Sequence, residues 1–398
     1  MRDVDAGWIA HAAGARLAAG DRSGGPERVL IDNREAGQGD LFVGLRGAHL
    51  DGGEFAAAAV TAGAWGVLVA PAHVGAARAA GDAVVLEVDD PLVALQALAR
   101  AWRRELGCKV VGVTGSTGKT STKDILAALL APHLRTHANR QNLNTEIGVP
   151  LTILDAEPGT EAMVLEMAMR GEGQIAELVA VAEPDVGVIV NVGPVHLELL
   201  GTVERVAAAK AELVRDLAPG AACVVPAEEP LLADHLRKDL HTTTFGPGGD
   251  VVLHSFADGI AHIDTPLKAI QLELAYSEPH NLLNTLAAVA AARALGVSPA
   301  GRVDPAFSSM RGEVVELAGG VTVVNDCYNA NPMSMRAALK HLAETPADRR
   351  VAVLGTMAEL GSASDGFHQD IGLEAAQLGV DVLITVGAEA VGYSEEFD

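Results

Sequence analysis

The feature that most constrains this chain is a short glycine turn at residues 114–121, Thr-Gly-Ser-Thr-Gly-Lys-Thr-Ser. A β-branched run at 109–114 leads into it, and an apolar pattern with helical spacing follows at 120–131. A strand that enters a tight turn and leaves as a helix presents inward-facing backbone N–H groups and the positive end of the helix dipole. Lys119 can then reach the β- and γ-phosphates of a nucleotide, and the Thr120 hydroxyl can bind Mg²⁺. The sequence therefore predicts a nucleotide phosphate loop.

The turn is a short form of the general phosphate-loop pattern, because Val113 stands where that pattern has its first glycine. A glycine turn before a helix is often only a connection, but the following Lys-Thr pair and the preceding strand favour nucleotide binding. The residues expected to contact the nucleotide are Gly115, Ser116, Thr117, Gly118, Lys119, Thr120 and Ser121.

Length and cysteine content limit the class of protein. A chain of 398 residues is long enough for two to four domains at roughly 100–200 residues each. The first ten residues lack an apolar segment, and the most apolar helical stretch, 282–295, contains Asn284 and Arg293. The three cysteines are odd in number and far apart, which fits neither a disulfide framework nor zinc spacing. We therefore expect a cytoplasmic protein with reduced thiols and without a membrane span.

The charge balance argues against a nucleic-acid partner. The formal net charge is −23, and no run of basic residues is longer than two. An anionic nucleotide must therefore be held by backbone N–H groups, a few cationic side chains and metal, and not by the field of the whole protein.

The chain divides into three predicted segments, 1–107, 108–300 and 308–398, and all three indicate α/β structure. In the first, strands are expected at 28–31, 40–45 and 65–70, the first two as a β-turn-β unit, and helices at 54–62 and 92–106. In the second, apolar strands at 110–114, 162–167, 186–191 and 222–225 alternate with helices at 120–131, 173–182 and 203–217. In the third, strands at 321–325, 351–354 and 382–386 alternate with helices at 334–344 and 370–378. Such alternation favours a doubly wound, mostly parallel sheet with ligands at the carboxyl ends of its strands.

Three polar side chains lie at informative places in this pattern. Glu166 closes one predicted strand and His196 follows the next, so both fall at the edge that carries the phosphate loop. Each alone is best explained as a solvated polar group, but the pair beside the loop favours a Mg²⁺ site. Lys210 lies in an alanine-rich helix near Glu212, and its spacing alone favours a surface lysine paired with neighbouring acids.

The order of several motifs resembles that of the Mur ligases. The shared segments are 115–120 (Gly-Ser-Thr-Gly-Lys-Thr), 142–150, Glu166-Met167, 191–196, 210–212, 280–284 and 326–332 (Asp-Cys-Tyr-Asn-Ala-Asn-Pro), with 31–34, 39–43 and 51–52 near the start. Tyr328–Pro332 is the most specific of them. The resemblance implies a three-domain α/β architecture: a small UDP-substrate-binding domain at 1–107, a central ATP-binding phosphate-loop domain with a mostly parallel sheet at 108–300, and a Rossmann-like ligase domain at 308–398.

The resemblance implies an ATP-dependent amide ligase of peptidoglycan precursor synthesis, acting as a monomer. It would join D-Ala-D-Ala to UDP-N-acetylmuramoyl-tripeptide (UDP-MurNAc-tripeptide) through an acyl phosphate. Two alternatives stay open: another amide ligase of the Mur or folylpolyglutamate-synthase type, or a fragment that binds without turning over.

The resemblance also implies roles for individual residues. Lys119, His196 and Lys210 would be catalytic, with Lys210 carbamylated and serving a second Mg²⁺. Thr120, Glu166, His196 and the modified Lys210 would be the metal ligands. The ATP contacts outside the loop would be His280, Asn284, Arg311, Asp326 and Asn329. Asn142, Asn144 and Thr145 would face the muramoyl part of the substrate, and Asn33 and Arg34 its uridine end.

The sequence also departs from the Mur ligase pattern. The departures are Asn33 for serine, Gly53 for histidine, Met310 for glycine, and Asn325 and Thr356 for aspartate. A closing segment of the Lys-Gly-Ser-Arg type does not follow Asp398. We therefore expect an incomplete third domain with an exposed apolar sheet edge, substrate binding with poor turnover by residues 1–398, and recovery when the closing segment is added.

Overall fold

The computed structural model describes residues 1, 3–21, 23–140 and 142–397. Helices and strands alternate along most of the chain, which confirms the α/β fold class. The chain separates into two compact units, one formed by Met1–Val110, Leu134–Met167 and Glu177–Pro184, the other by Val111–His133, Ala168–Ala176 and Asp185–Asp398.

The helices and strands have the following bounds. The helices are α1 Ala6–Ala12, α2 Ala56–Thr61, α3 Pro71–Ala80, α4 Pro91–Leu106, α5 Lys119–Leu130, α6 Gly148–Asp155, α7 Gln174–Ala182, α8 Leu197–Leu200, α9 Val203–Asp216, α10 Pro279–Ala294, α11 Pro332–Glu344, α12 Ser364–Gln377 and α13 Gly392–Glu395. The strands are β1 Arg16–Ala19, β2 Arg28–Leu30, β3 Asp40–Val43, β4 Gly66–Val69, β5 Val84–Glu87, β6 Lys109–Thr114, β7 Thr136–Ala138, β8 Ala162–Glu166, β9 Val186–Ile189, β10 Ala222–Pro226, β11 His241–Phe245, β12 Val252–Ala257, β13 Ile260–Asp264, β14 Ile270–Leu274, β15 Gly301–Val303, β16 Glu313–Leu317, β17 Val321–Asn325, β18 Val351–Gly355 and β19 Val382–Val386.

The first unit contains a five-stranded sheet in the order β1-β5-β4-β3-β2. Its neighbouring strands are parallel except for β1, which runs antiparallel to β5. The strands expected at 28–31 and 40–45 are present as β2 and β3, and they pair in parallel with Arg28 opposite Asp40. The intervening 31–39 segment is long enough to carry the chain back to the start of the next strand. A second parallel pair, β7 with β8, lies in the same unit.

The second unit contains parallel strands in the order β11-β10-β9-β6. Their side chains, such as Val111, Val188 and Val224, are fully buried, as expected for strands whose two faces are both covered. Because β6 and β9 are parallel and in register, with Thr114 opposite Ile189, the loops that follow them leave the sheet at the same edge. The parallel sheet predicted from the alternating pattern is confirmed for these strands.

A four-stranded sheet, in the order β12-β13-β14-β15, was missed by the sequence analysis. Strands β12 to β14 form an antiparallel meander, and β15 joins parallel to β14. Strands β13 and β14 alternate buried with exposed residues, as in β13, where Ala261 and Ile263 are buried and His262 is exposed, and β12 has no buried residue. Half-exposed strands of this kind carry a weaker apolar signal than the continuous runs of a parallel sheet.

The last segment contains an antiparallel hairpin, β16 with β17, and a parallel pair, β18 with β19. Helix α12 begins at Ser364, six residues before the predicted start at 370, because Gly366 obscures the helical pattern. Its buried residues pack with those of α11 and β18 around Tyr393, which is fully buried. Val353, Ile384 and Val386 of the parallel pair are exposed and lie on one face of the pair.

Two glycines of α12 allow a matched test of this packing. A Cβ added at Gly372 would lie 1.9 Å from the backbone oxygen of Tyr393. At Gly366, no atom of the described residues lies within 4 Å of such a Cβ. We expect Gly372→Ala to lower the free energy of unfolding by about 1–3 kcal/mol, as overpacking does, and Gly366→Ala to leave it unchanged or raise it by up to about 1 kcal/mol. Urea unfolding monitored by circular dichroism measures both, and equal effects would contradict the packing described.

Candidate active site

The phosphate loop is held in shape by an amide side chain from the neighbouring strand end. Asn191, which follows β9, accepts hydrogen bonds at Oδ1 from the backbone N–H groups of Ser116 (3.0 Å) and Thr117 (2.9 Å). Its Nδ2 donates to the backbone oxygen and the hydroxyl of Thr117, at 3.2 and 3.0 Å. One side chain thus bonds both the N–H and the C=O of Thr117. The loop is therefore ordered before any ligand binds.

Further contacts tie the loop to the segment after β9. The Ser116 hydroxyl donates to the Gly193 oxygen (3.1 Å) and accepts from the Gly193 N–H (2.9 Å). The Lys119 ammonium lies over the loop and donates to the Gly115 oxygen at 2.9 Å. The lysine predicted for phosphate contact is therefore positioned on the loop itself.

Gly118 occupies a place that a larger residue cannot take. Its φ is +72°, and an added Cβ would lie 2.6 Å from Oδ1 of Asn284. Asn284, in α10, is buried and donates to Oδ1 of Asn281 at 3.3 Å. The predicted ATP residue Asn284 therefore lies directly against the start of α5.

Lys119, His196 and Lys210 influence each other electrostatically. Lys210 is fully buried in α9, and burial, with a smaller contribution from the Lys119 charge, holds the pKa of its ammonium well below the ordinary value. Burial also lowers the pKa of His196, Glu359 raises it, and the charges of Lys210 and Lys119 lower it further. The surface-lysine interpretation of Lys210 is wrong, because its helix turns this side chain inward.

Lys210 makes neither a hydrogen bond nor an ion pair within the part of the chain that the structure describes. Its neighbour Glu212 is engaged elsewhere, since its carboxylate accepts the N–H groups of Gly173 (2.6 Å) and Ala176 (3.0 Å) near the start of α7. A buried ammonium without an anion is costly, so the neutral amine is favoured at this position.

Glu166, in the first unit, is a buried carboxylate at the end of β8. Its Oε1 accepts a hydrogen bond from Nδ2 of Asn144 (2.8 Å). The side chain of Asn139 bonds both backbone groups of Glu166. Its Oδ1 accepts the Glu166 N–H (2.9 Å), and its Nδ2 donates to the Glu166 backbone oxygen (3.0 Å). The structure therefore joins two predicted site residues, Asn144 and Glu166.

A second group of predicted nucleotide residues lies where α10 begins and β17 ends. Burial raises the pKa of Asp326, while the nearby charges of His280 and Arg311 lower it. The Arg311 guanidinium lies 4.3 Å from the centre of the Tyr328 ring, a cation–π contact. The structure thus places His280, Arg311 and Asp326 near one another.

The remaining predicted residues have local partners or lie at the surface. Asn329 is exposed and accepts the N–H of Ala330. Arg34 is exposed and forms an ion pair with Asp32, whose pKa this hydrogen-bonded guanidinium lowers to about 2. Asn33 is half-buried, and Asn142 and Thr145 are exposed.

The chain matches known protein families over most of its length. Residues 113–292 match the model of the Mur ligase middle domain, and 310–396 match that of the Mur ligase glutamate ligase domain. A UDP-N-acetylmuramoyl-tripeptide--D-alanyl-D-alanine ligase from Synechocystis is 38% identical over 369 residues, covering 89% of this chain and 78% of the relative. This chain belongs to the Mur ligase family.

Solved Mur ligases share the fold. MurF from Acinetobacter baumannii superposes with a TM-score of 0.89 at 29% identity, covering 100% of this chain and 89% of that one. MurF from Thermotoga maritima, in complex with ADP, gives 0.80 at 33% identity, covering 92% and 86%. The three-domain Mur ligase architecture predicted from the motifs is consistent with these matches.

Membership of the Mur ligase family explains one departure noted in the sequence. Met310 has a φ of +58°, in the left-handed region where a residue other than glycine costs about 1–2 kcal/mol. Glycine at this position, the usual residue of the Mur ligases, would adopt the conformation without that cost. Methionine here retains the backbone geometry at some expense of stability.

A Mg²⁺ ion at the phosphate loop would be held in part by phosphate and water. Within the described residues, no group of three or more His, Cys, Asp and Glu side chains is placed to hold a metal. Mg²⁺ does not need such a group, since it is usually bound by one or two carboxylates together with water and substrate phosphates.

No helix in the described residues is both long and apolar enough to cross a membrane.

Three residues of the site had no assigned role in the sequence analysis: Asn139, Asn191 and Glu359. Each acts on another site residue, so its function depends on a tertiary contact. Asn191 offered the strongest sequence signal, because an asparagine directly after a buried parallel strand lies at the edge where the phosphate loop is expected.

The clamp made by Asn191 can be tested directly. Asn191→Ala removes the acceptor of two loop N–H groups. The loop then has to become ordered as the nucleotide binds, and the cost of that ordering weakens binding. We expect the Kd for ADP to rise about tenfold, equivalent to about 1.4 kcal/mol, with little change in the circular dichroism spectrum. Calorimetric titration with ADP measures the effect, and Asn142→Ala, at an exposed asparagine, is the control. Unchanged or tighter ADP binding by Asn191→Ala would refute the clamp.

Proposed function

We propose that this chain joins D-Ala-D-Ala to UDP-MurNAc-tripeptide at the expense of ATP, as a monomer in the cytoplasm. The observation that carries the proposal is the convergence of Lys119, His196 and Lys210 beside an organised phosphate loop. The reaction class is that of the related ligases described above. Three segments would divide the work: 1–107 for the UDP end of the substrate, 108–300 for ATP and 308–398 for ligation.

The first step would activate the terminal carboxylate of the tripeptide. A carboxylate oxygen attacks the γ-phosphorus in line, the bond to the β–γ bridging oxygen breaks, and ADP leaves. Two anions must meet, so the site has to supply positive charge. Lys119, whose ammonium donates to the Gly115 oxygen of the loop, would neutralise the phosphates, and Arg311 would add charge from the last segment.

The second step would form the amide. The amine nitrogen of D-Ala-D-Ala attacks the acyl carbon, the carbon–oxygen bond to phosphate breaks, and the amine proton passes to solvent. An acyl phosphate hydrolyses in water, which favours a site that excludes water while the amine binds.

Metal binding would complete the phosphate site. Thr120, Glu166 and His196 would hold Mg²⁺, which neutralises charge on the phosphates when it is bound. Thr120 and Glu166 are buried, and His196 is held as a largely uncharged imidazole by its burial, as metal ligation requires.

Lys210 would serve a second Mg²⁺ as a carbamate. The neutral amine nitrogen attacks the carbon of CO₂, one N–H proton is lost, and the side chain becomes anionic. Burial that lowers the pKa of this amine keeps it in the reactive neutral form. An anion here would also face the charge of Lys119 favourably.

The other predicted contacts complete the proposal. His280 and Asn284 would face adenine, and Arg311, Asp326 and Asn329 the ribose and phosphates. Asn142, Asn144 and Thr145 would contact the muramoyl part of the substrate, and Asn33 and Arg34 its uridine end.

Release of ADP tests the reaction and the role of the loop lysine. With UDP-MurNAc-tripeptide and ATP, ADP should accumulate only when D-Ala-D-Ala is added. Lys119→Ala should lower the rate at least about 100-fold, as loss of a donor that stabilises transition-state charge does. Lys340→Ala, at an exposed lysine of α11 paired with Glu344, should match the parent. ADP release that does not depend on D-Ala-D-Ala, or an active Lys119→Ala variant, would contradict the proposal.

The carbamate has its own test. Lys210→Ala should be inactive and partly rescued by formate or acetate, whereas Lys210→Arg should be inactive and not rescued, because it retains a cation and fills the space of the lysine side chain. The parent should lose activity when CO₂ is removed and regain it with bicarbonate. Full activity of Lys210→Arg would show that no carbamate is needed.

A further inference from the structure

Two residues with unusual backbone conformations meet beside the proposed metal site. His196 has a φ of +55° and Glu359 a φ of +63°. Neither is glycine, so each conformation is unfavourable by itself and persists where surrounding contacts impose it. Such strained residues concentrate at functional sites.

Backbone contacts fix the segment that carries Glu359. The Glu198 N–H donates to the Glu359 oxygen at 3.1 Å. Two residues later, Gly361 lies so close to Glu198 that an added Cβ would be 3.0 Å from the Glu198 Cα. Residues 359–361 are therefore set against the start of α8, directly after His196.

The Glu359 carboxylate has two partners. One oxygen is hydrogen-bonded to Nδ1 of His196, and the other lies 3.5 Å from Nε of Arg170. The residues belong to different parts of the family pattern, since His196 lies within the middle-domain match and Glu359 within the glutamate ligase-domain match.

The contact determines the chemistry of the imidazole. An ionised carboxylate can only accept a hydrogen bond, so in the neutral imidazole of His196 the proton lies on Nδ1 and Nε2 keeps its lone pair. Within the described part of the chain, Nε2 makes no hydrogen bond. A histidine held in this way is prepared to bind a metal through Nε2.

We infer that Glu359 is a positioning residue for His196, which makes metal binding at the phosphate site depend on the seating of residues 359–361 from the ligase-domain segment. The inference rests on the proposed metal role of His196. The alternative is that Glu359 is only a clamp between segments, acting through Arg170 and the backbone of Glu198.

Variants at position 359 separate the two roles. Glu359→Asn retains a residue that tolerates the left-handed conformation but is one methylene shorter, so it cannot reach Nδ1 in place. Glu359→Gln retains the length and an acceptor oxygen. Arg170→Ala removes the other partner, and Glu389→Gln, at an exposed glutamate near the end of the chain, is the charge control.

Two measurements on the intact chain test the inference. ¹⁵N NMR of the imidazole, without nucleotide, should show a protonated Nδ1 in the parent and in Glu359→Gln, and a mixture of tautomers in Glu359→Asn. Manganese binding with ADP present, followed by electron paramagnetic resonance, should weaken about tenfold or more in Glu359→Asn, as loss of a carboxylate behind a histidine ligand does. Glu359→Gln, Arg170→Ala and Glu389→Gln should remain near the parent.

Parental tautomer and manganese affinity in Glu359→Asn would overturn the inference, and so would an equal loss in Arg170→Ala, which would indicate a clamp. Failure of the parent to bind manganese with ADP would instead refute the proposed metal site. The tautomer measured without nucleotide would still decide whether Glu359 positions the ring.

Discussion

The site depends on two parallel strands that end side by side. Thr114 of β6 lies opposite Ile189 of β9, so the phosphate loop and the 191–196 segment begin at the same sheet edge. That placement allows Asn191 to hold the N–H groups of Ser116 and Thr117. The Ser116 hydroxyl and Gly193 add a reciprocal pair of bonds. Without the shared edge, neither the loop nor His196 would have its position.

The lysine side chains at this sheet edge contrast with the negative net charge of the protein. The chain has a formal net charge of −23, yet the Lys119 charge lies close enough to the buried Lys210 to lower the pKa of its ammonium further. A cation at the phosphate loop needs an anion, and the phosphates of a nucleotide are suitable partners for Lys119. Carbamylation of Lys210 would relieve the remaining repulsion and turn a costly lysine into a metal ligand.

The sequence was most informative where local pattern and tertiary structure agree. The strand, turn and helix of the phosphate loop were predictable, because the β-branched run, the glycines and the Lys-Thr pair are contiguous. Alternating apolar runs predicted the parallel strands of the second unit. The burial of Lys210 was not predictable from spacing, because tertiary packing decides which face of α9 is buried. The β12–β14 meander escaped notice because its strands are half exposed. Glu359 could not be assigned from sequence, since its partner His196 is 163 residues away.

The central claim is that the phosphate loop serves the transfer of phosphate to a substrate carboxylate. The most direct test is to label the terminal carboxylate of UDP-MurNAc-tripeptide with ¹⁸O, add ATP and D-Ala-D-Ala, and analyse the released phosphate by mass spectrometry. An acyl phosphate requires that one labelled oxygen appear in phosphate for each amide formed. Amide formation with unlabelled phosphate would show that the carboxylate does not attack the γ-phosphorus and would contradict the mechanism.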